Sequence, residues 1–222
     1  MKHRYLGILA LLAVPILALA QTPASQRAGS YEFYLSPIFT DSKTRTFEGG
    51  TTARTDTAYG FGFGFAKNFN AHWNGAVEFA WSEAYYRTTL QPQAGSGPNP
   101  INSSGVIDTG TLRFAGTWNV LASDLTPFLT AGAGWTHIYT DIPQGPPQNS
   151  CWYYPWYGPV CTSYIPTQNT TKFSWNFGAG VRWDIGPYLV RGLVNEQRFD
   201  QGGSQGAGTF TQWRLDFGMR FR

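Results

Sequence analysis

The amino-acid sequence predicts an all-β fold in which eight antiparallel strands run up and down and close into one barrel. The first observation is a period of two: apolar and polar residues alternate over eight stretches, as in strands with two unlike faces. The second is composition, since 26 glycines and 17% aromatic residues accompany only 13% charged residues. The third is that long and short connections between the stretches alternate along the chain.

This composition excludes several classes of protein. Soluble domains carry about 25% charged residues, and disordered chains are poor in aromatics. A helical membrane protein needs an apolar run of roughly 18 or more residues, which the chain lacks. The 16 Lys and Arg residues are dispersed, so they form no dense basic face for nucleic acid.

Residues 1–20 predict a secretory signal peptide. Lys2 and Arg4 form a basic start, and the apolar run that follows ends in a small-x-small sequence at Ala20. These are the parts of a cleavable signal. We therefore expect export, with residues 21–222 forming a single barrel domain; an uncleaved anchor is the alternative.

The eight predicted strands each carry apolar side chains on one face. For the first four they are Tyr31, Phe33 and Leu35 (residues 30–40); Tyr59, Phe61, Phe63 and Phe65 (57–67); Trp73, Val77, Phe79 and Trp81 (73–86); Leu112, Phe114, Trp118 and Val120 (107–121). For the last four they are Leu129, Ala131, Ala133 and Trp135 (125–140); Phe173, Trp175, Phe177, Val181 and Trp183 (170–185); Tyr188, Val190 and Val194 (187–198); Trp213, Leu215, Phe217, Met219 and Phe221 (213–222).

The connections between these strands predict the orientation of the barrel. The long ones are residues 41–54, 87–106, 141–169 and 199–208, and the short ones are residues 68–72, 122–124 and 185–187. Long and short connections therefore lie at opposite ends. Transmembrane barrels have short periplasmic turns and longer extracellular loops, so we expect the long connections to be extracellular.

The aromatic face decides between a membrane barrel and a soluble calyx, which is the alternative. The interior of an eight-stranded barrel is narrow and filled by side chains, so it cannot hold all these aromatic rings. The opposite parity carries Gly, Ala, Ser, Asn and a few charges, which do fit. We therefore predict an eight-stranded antiparallel up-and-down transmembrane β-barrel with its aromatic face toward lipid.

Three segments carry a family resemblance: residues 58–73 form a turn between two aromatic strands, residues 127–135 are glycine-rich, and residues 217–222 end the chain. On these the chain resembles the Gram-negative outer-membrane β-barrel domains of the eight-stranded OmpA, OmpX and OmpW kind. The resemblance implies a location in the cell outer membrane, contact with outer-membrane lipid and lipopolysaccharide, and a monomer. It implies no cofactor.

The resemblance also implies a C-terminal signal for the barrel-assembly machinery, formed by Phe217, Gly218 and Phe221. The family signal usually ends in an aromatic residue, whereas here Phe221 is followed by Arg222.

Five charged residues occupy strand positions that alternate with the aromatic face and therefore point into the lumen: Glu78, Arg113, Arg191, Arg214 and Asp216. Buried charges cost several kcal/mol unless they are paired. We therefore expect an ion-pair network, which is either a plug that holds the barrel closed or a gate in a narrow pore.

The third long connection contains both cysteines of the chain, Cys151 and Cys161. In an exported protein an even number of cysteines favours a disulfide. The residues between them include five aromatics: Trp152, Tyr153, Tyr154, Trp156 and Tyr157. Exposed Trp and Tyr supply contact area at low entropic cost, so we expect a recognition loop for a glycan or a protein. A self-packed cap over the barrel mouth is the alternative.

No motif predicts catalysis or metal binding. Outer-membrane lipid A deacylases pair a histidine with a serine two residues away, but His137 has Tyr139 at that spacing. We expect a non-enzymatic protein with no catalytic, cofactor-binding or metal-binding residues. The predicted function is outer-membrane structure or surface interaction through the long loops. The alternative is an OmpW-like conduit for small or hydrophobic solutes, and a lipid A-modifying enzyme is a remote one.

Overall fold

The computed structural model describes residues 27–46, 50–90, 101–143, 148–200 and 207–222. The predicted signal peptide, residues 1–20, lies outside these ranges and remains a prediction. The strands are β1 (Tyr31–Thr40), β2 (Lys43–Thr46), β3 (Thr52–Thr55), β4 (Ala58–Asn68), β5 (Trp73–Leu90), β6 (Ile101–Asn119), β7 (Leu125–Pro143), β8 (Gln148–Tyr154), β9 (Gly158–Tyr164), β10 (Thr167–Ile185), β11 (Tyr188–Asp200) and β12 (Ala207–Phe221).

Eight of these strands form the predicted closed barrel. Their order is β5-β4-β1-β12-β11-β10-β7-β6, and β6 pairs again with β5. Every neighbouring pair is antiparallel, including the first and last strands, in which Leu35 lies opposite Phe217. The fold class predicted from the period of two is confirmed. Within the described residues, no helix is long and apolar enough to cross a membrane.

The two faces of the wall are arranged as the alternation predicts. In β4 the side chains of Phe61 and Phe63 are exposed on the outside, while Gly62 and Gly64 face the buried inside. The interior is consequently polar and the exterior aromatic, the reverse of a soluble protein.

The connections between the strands lie at the two opposite ends of the barrel. At the turn end, β10 joins β11 through Gly186, whose φ of +58° suits glycine. At the opposite end, which we call the loop end, the strands continue further than the hydropathy pattern indicates. Residues 41–54, predicted as a loop, contain β2 and most of β3, and β3 pairs with β5. Residues 87–106 likewise contain the end of β5 and the start of β6.

The strands continue past the ends predicted from the alternation for a physical reason. Beyond the membrane both faces of a strand meet water, so the apolar alternation ends although backbone pairing continues. The upper part of β5 pairs with β6 as far as Leu90 opposite Ile101. Similarly, residues 141–169 contain the end of β7, the β8–β9 hairpin and the start of β10.

Candidate functional site

The middle of the lumen holds the five charged residues that parity places inside. Glu78 lies on β5, Arg113 on β6, Arg191 on β11, and Arg214 and Asp216 on β12. We call these five residues the central cluster. All five side chains are buried, and the three guanidinium groups outnumber the two carboxylates by one.

The carboxylate of Glu78 is the hub of the central cluster. It accepts a hydrogen bond from Arg113 Nε, and Arg214 donates to both of its oxygens, at 3.0 Å from Nη1 and 3.2 Å from Nη2. Arg214 Nη2 also lies 3.2 Å from Asp216 Oδ1, and the second oxygen of Asp216 lies 2.8 Å from Arg191 Nη2. The charge-assisted hydrogen bonds to Glu78 and the ion pairs of Asp216 offset part of the desolvation of these buried ions.

Tyr34, which the sequence analysis did not single out, completes this arrangement. Its hydroxyl donates to Glu78 Oε1 at 2.5 Å, and the Arg191 guanidinium lies 4.0 Å from its ring centroid. Gly64 stands between Tyr34 and Glu78 in the sheet register. A Cβ at Gly64 would lie 2.3 Å from the Tyr34 ring, so glycine leaves the room in which the phenol crosses the neighbouring strand. Tyr34 has inward parity, which was the available signal.

A second ion cluster lies nearer the turn end and was also missed. It consists of Arg27, Glu32, Arg182 and Asp184, and we call it the lower cluster. Arg182 donates to Glu32 Oε2 at 3.2 Å and to Asp184 Oδ1 at 2.8 Å. Arg27 Nε lies 3.2 Å from Asp184 Oδ2. The side chains of Glu32 and Arg182 are both 0% exposed. Glu32, Arg182 and Asp184 lie at inward-facing positions of their strands, so the alternation could have identified them. Arg27 lies before β1, where no alternation exists to place it.

Together the two clusters cross the lumen at two depths. Arg27 additionally donates to the backbone oxygens of Leu121 (3.2 Å) and Ser123 (2.6 Å). These contacts tie the chain before β1 to the turn between β6 and β7. Ion pairs therefore connect opposite sides of the barrel interior rather than lining an open axis.

The β8–β9 hairpin forms a two-stranded sheet of its own at the loop end. A disulfide joins Cys151 and Cys161, which face each other in the register. The five predicted recognition residues lie between them, and all five are exposed. Trp156 and Tyr157 at the tip are 89% and 84% exposed. Residues 142–171 include no Asp, Glu, Lys or Arg, so the hairpin is uncharged.

The three residues of the predicted C-terminal signal lie in β12, where the barrel closes. Phe217 and Phe221 face outward, and the Phe221 ring stacks on Tyr31 with centroids 6.2 Å apart. Gly218 packs against the first strand, since a Cβ there would lie 2.5 Å from the Phe33 backbone oxygen.

His137 lies on the outer face of β7. Its Nδ1 atom is 2.6 Å from Thr171 Oγ1, and its ring centroid is 4.1 Å from that of Tyr139. In the described ranges no three His, Cys, Asp or Glu side chains are grouped so that they could hold a metal ion.

Comparison with known proteins adds a family to this geometry. The family model described as the outer membrane protein beta-barrel domain matches residues 7–221. No curated protein matches the chain in sequence. The solved structures similar to it include three outer-membrane barrels. Ail, the attachment invasion locus protein of Yersinia pestis, is 13% identical over 87% of this chain and 99% of that one, with a TM-score of 0.48. Neisserial surface protein A is 10% identical over 86% and 95%, with a TM-score of 0.49. OprG from Pseudomonas aeruginosa is 12% identical over 88% and 97%, with a TM-score of 0.47.

Proposed function

The chain belongs to the outer membrane protein β-barrel domain family, and from this premise we propose that it is a non-enzymatic recognition protein. The protein is located in the Gram-negative outer membrane. In the proposal the barrel is a closed anchor, and the β8–β9 hairpin at its loop end binds a glycan or a protein outside the cell. Outer-membrane barrels have their longer loops on the extracellular side, which supports this orientation.

The exposure of Trp156 and Tyr157 carries the proposal. Large aromatic side chains that stay in water leave apolar area unburied, and such residues dominate the binding energy of interfaces. The disulfide and Pro155 restrict the hairpin, which lowers the entropy lost on binding. Because the hairpin is uncharged, its contacts are stacking and hydrogen bonds, which suits a neutral sugar surface.

Binding of the purified barrel in lipid nanodiscs to arrayed glycans and to intact host cells tests this function. We expect Trp156→Ala with Tyr157→Ala to weaken binding at least about tenfold. Phe69→Ala is the matched control, because Phe69 is an exposed aromatic residue at the turn end. Equal binding by the hairpin variant and the Phe69 variant, or no binding by the native protein, would contradict the proposal.

The remaining partners belong to the same proposal. The outward aromatic face contacts outer-membrane lipid, including lipopolysaccharide on the extracellular side. The barrel-assembly machinery recognises Phe217, Gly218 and Phe221, and the protein works as a monomer. The antiparallel closure between β1 and β12 supports the last point, because the barrel itself leaves no strand unpaired within the membrane.

A conduit for small solutes is the second candidate, and one observation favours it: a cavity opens in the lumen near the loop end. The central cluster beneath that cavity favours a plug. We expect neither the native barrel nor Arg113→Ala to conduct ions in planar bilayers, since Arg214 still pairs with Glu78. Conductance that appears in the Arg113 variant would instead assign the network as a gate.

A further inference from the structure

The cavity at the loop end has a volume of about 240 Å³, and we call it the vestibule. It is lined by inward-facing residues of several barrel strands, among them Thr40 of β1, Ala58 of β4 and Ala84 of β5. None of these residues belongs to either ion cluster or to the hairpin. A cavity of about 150 Å³ with apolar walls holds a benzene molecule, so the vestibule has room for a substituted ring.

The lining is arranged in two tiers. On five strands an inward polar residue is followed, two positions nearer the loop end, by an inward apolar residue. The lower tier consists of Ser82, Thr109, Thr136, Gln197 and Gln212. The upper tier consists of Ala84, Ile107, Ile138, Phe199 and Phe210. The vestibule thus has a polar floor beneath apolar walls, which matches a molecule with a polar end and an apolar body.

The polar floor is largely satisfied by its own hydrogen bonds. The hydroxyls of Ser82 and Thr109 lie 2.7 Å apart, and Gln197 Nε2 donates to Thr136 Oγ1 at 2.9 Å. Thr40 is a further polar residue of the lining, outside the five of the lower tier; it is 7% exposed, and its Oγ1 has no hydrogen-bond partner among the described residues. A buried hydroxyl without a partner costs about 1–3 kcal/mol. A ligand with one hydrogen-bonding group would supply the partner that Thr40 lacks.

The charge of the lining narrows the class of ligand. Asp56 is the one charged residue among those that line the vestibule. Its carboxylate is paired, since one oxygen lies 3.2 Å from Arg54 Nε and the other 3.5 Å from Arg87 Nη2. Neither arginine lines the vestibule, so the lining itself offers an ionic ligand no unpaired charge, and a neutral molecule fits best.

Two rings in the wall favour a flat apolar body. Phe199 and Phe210 stack with centroids 5.4 Å apart and an interplanar angle of 14°. We propose that the vestibule is a blind binding site for a neutral monocyclic aromatic compound with one hydroxyl group, which Thr40 recognises. This function is independent of the hairpin, and the central cluster below the floor keeps the bound compound on the loop side.

Titration of the native barrel in nanodiscs with 4-fluorophenol and with fluorobenzene, followed by ¹⁹F NMR, tests the proposal. Empty nanodiscs measure the partition of each probe into lipid. We expect saturable binding of both probes to the barrel. Thr40→Val keeps the shape of the side chain and removes the hydroxyl, so it should weaken 4-fluorophenol about fivefold while leaving fluorobenzene unchanged.

A variant in which a larger side chain fills the vestibule provides a second test. Ala84→Phe occupies the vestibule and should abolish saturable binding of both probes. Ala133→Phe is the matched control, because Ala133 is exposed on the outer face of β7. Binding equal to that of empty nanodiscs, or binding that survives Ala84→Phe in the folded protein, overturns the site. An equal effect of Thr40→Val on both probes overturns recognition of the hydroxyl. Substitutions of Trp156 and Tyr157 in the hairpin leave the vestibule intact. A failure of the proposed surface recognition is therefore measured independently of ligand binding in the vestibule.

Discussion

The central cluster and the tip of the β8–β9 hairpin are opposites. The first buries five charged side chains within the barrel, and the second exposes large apolar rings on an uncharged loop. Inside the lumen every charge needs a partner, so removal of one member of the cluster leaves a buried charge unpaired, and the cluster tolerates little change. At the tip Trp156 and Tyr157 are almost fully exposed. The buried ion pairs and the exposed aromatic rings therefore lie in separate regions of the molecule.

The largest expected effect on the free energy of unfolding comes from a substitution in the central cluster. Glu78→Ala leaves Arg113 and Arg214 without their shared carboxylate and should lower the free energy of unfolding by about 3–5 kcal/mol. Urea unfolding in lipid vesicles, followed by tryptophan fluorescence, measures it. Glu83→Ala on the same strand should stay within about 0.5 kcal/mol, because Glu83 faces outward. A loss below about 1 kcal/mol for Glu78→Ala would show that Arg113 and Arg214 do not depend on Glu78 as their buried partner.

A smaller and local effect is expected from the disulfide. Cys151→Ser with Cys161→Ser should destabilise the hairpin by about 2–3 kcal/mol, since the closed loop is short. Hydrogen exchange should speed up in residues 148–164 and stay unchanged in the barrel strands, because β8 and β9 pair with each other alone. Faster exchange throughout the barrel would contradict the independence of the two regions.

The smallest effect is expected at the tip. Trp156→Ala should change the free energy of unfolding by no more than about 0.5 kcal/mol, because the ring is almost fully exposed. Tyr34→Phe removes a single hydroxyl from the inside and should cost more, about 1–3 kcal/mol, through its lost bond to Glu78. A larger loss of unfolding free energy in the Trp156 variant than in the Tyr34 variant would contradict the difference proposed between the hairpin tip and the lumen.

The parity rule accounts for what could be predicted of the site. It placed the five residues of the central cluster in the lumen, and Tyr34, Glu32 and Arg182 have the same parity. It could not identify Arg27, which lies before the first strand. Nor did it reveal β2 and β3, because strands in water carry no apolar alternation.

The sequence by itself determined the membrane-spanning part of the eight barrel strands, the face that each side chain takes, and the loop that contains both cysteines, because these depend on local spacing. Tertiary structure decided the depth of each inward residue and therefore its partners. Arg182 meets Glu32 although 150 positions separate them, and Arg214 meets Glu78 across 136. The two tiers of the vestibule likewise exist only once the strands are in register. Parity specifies a face, whereas strand pairing and tilt set the level at which faces meet.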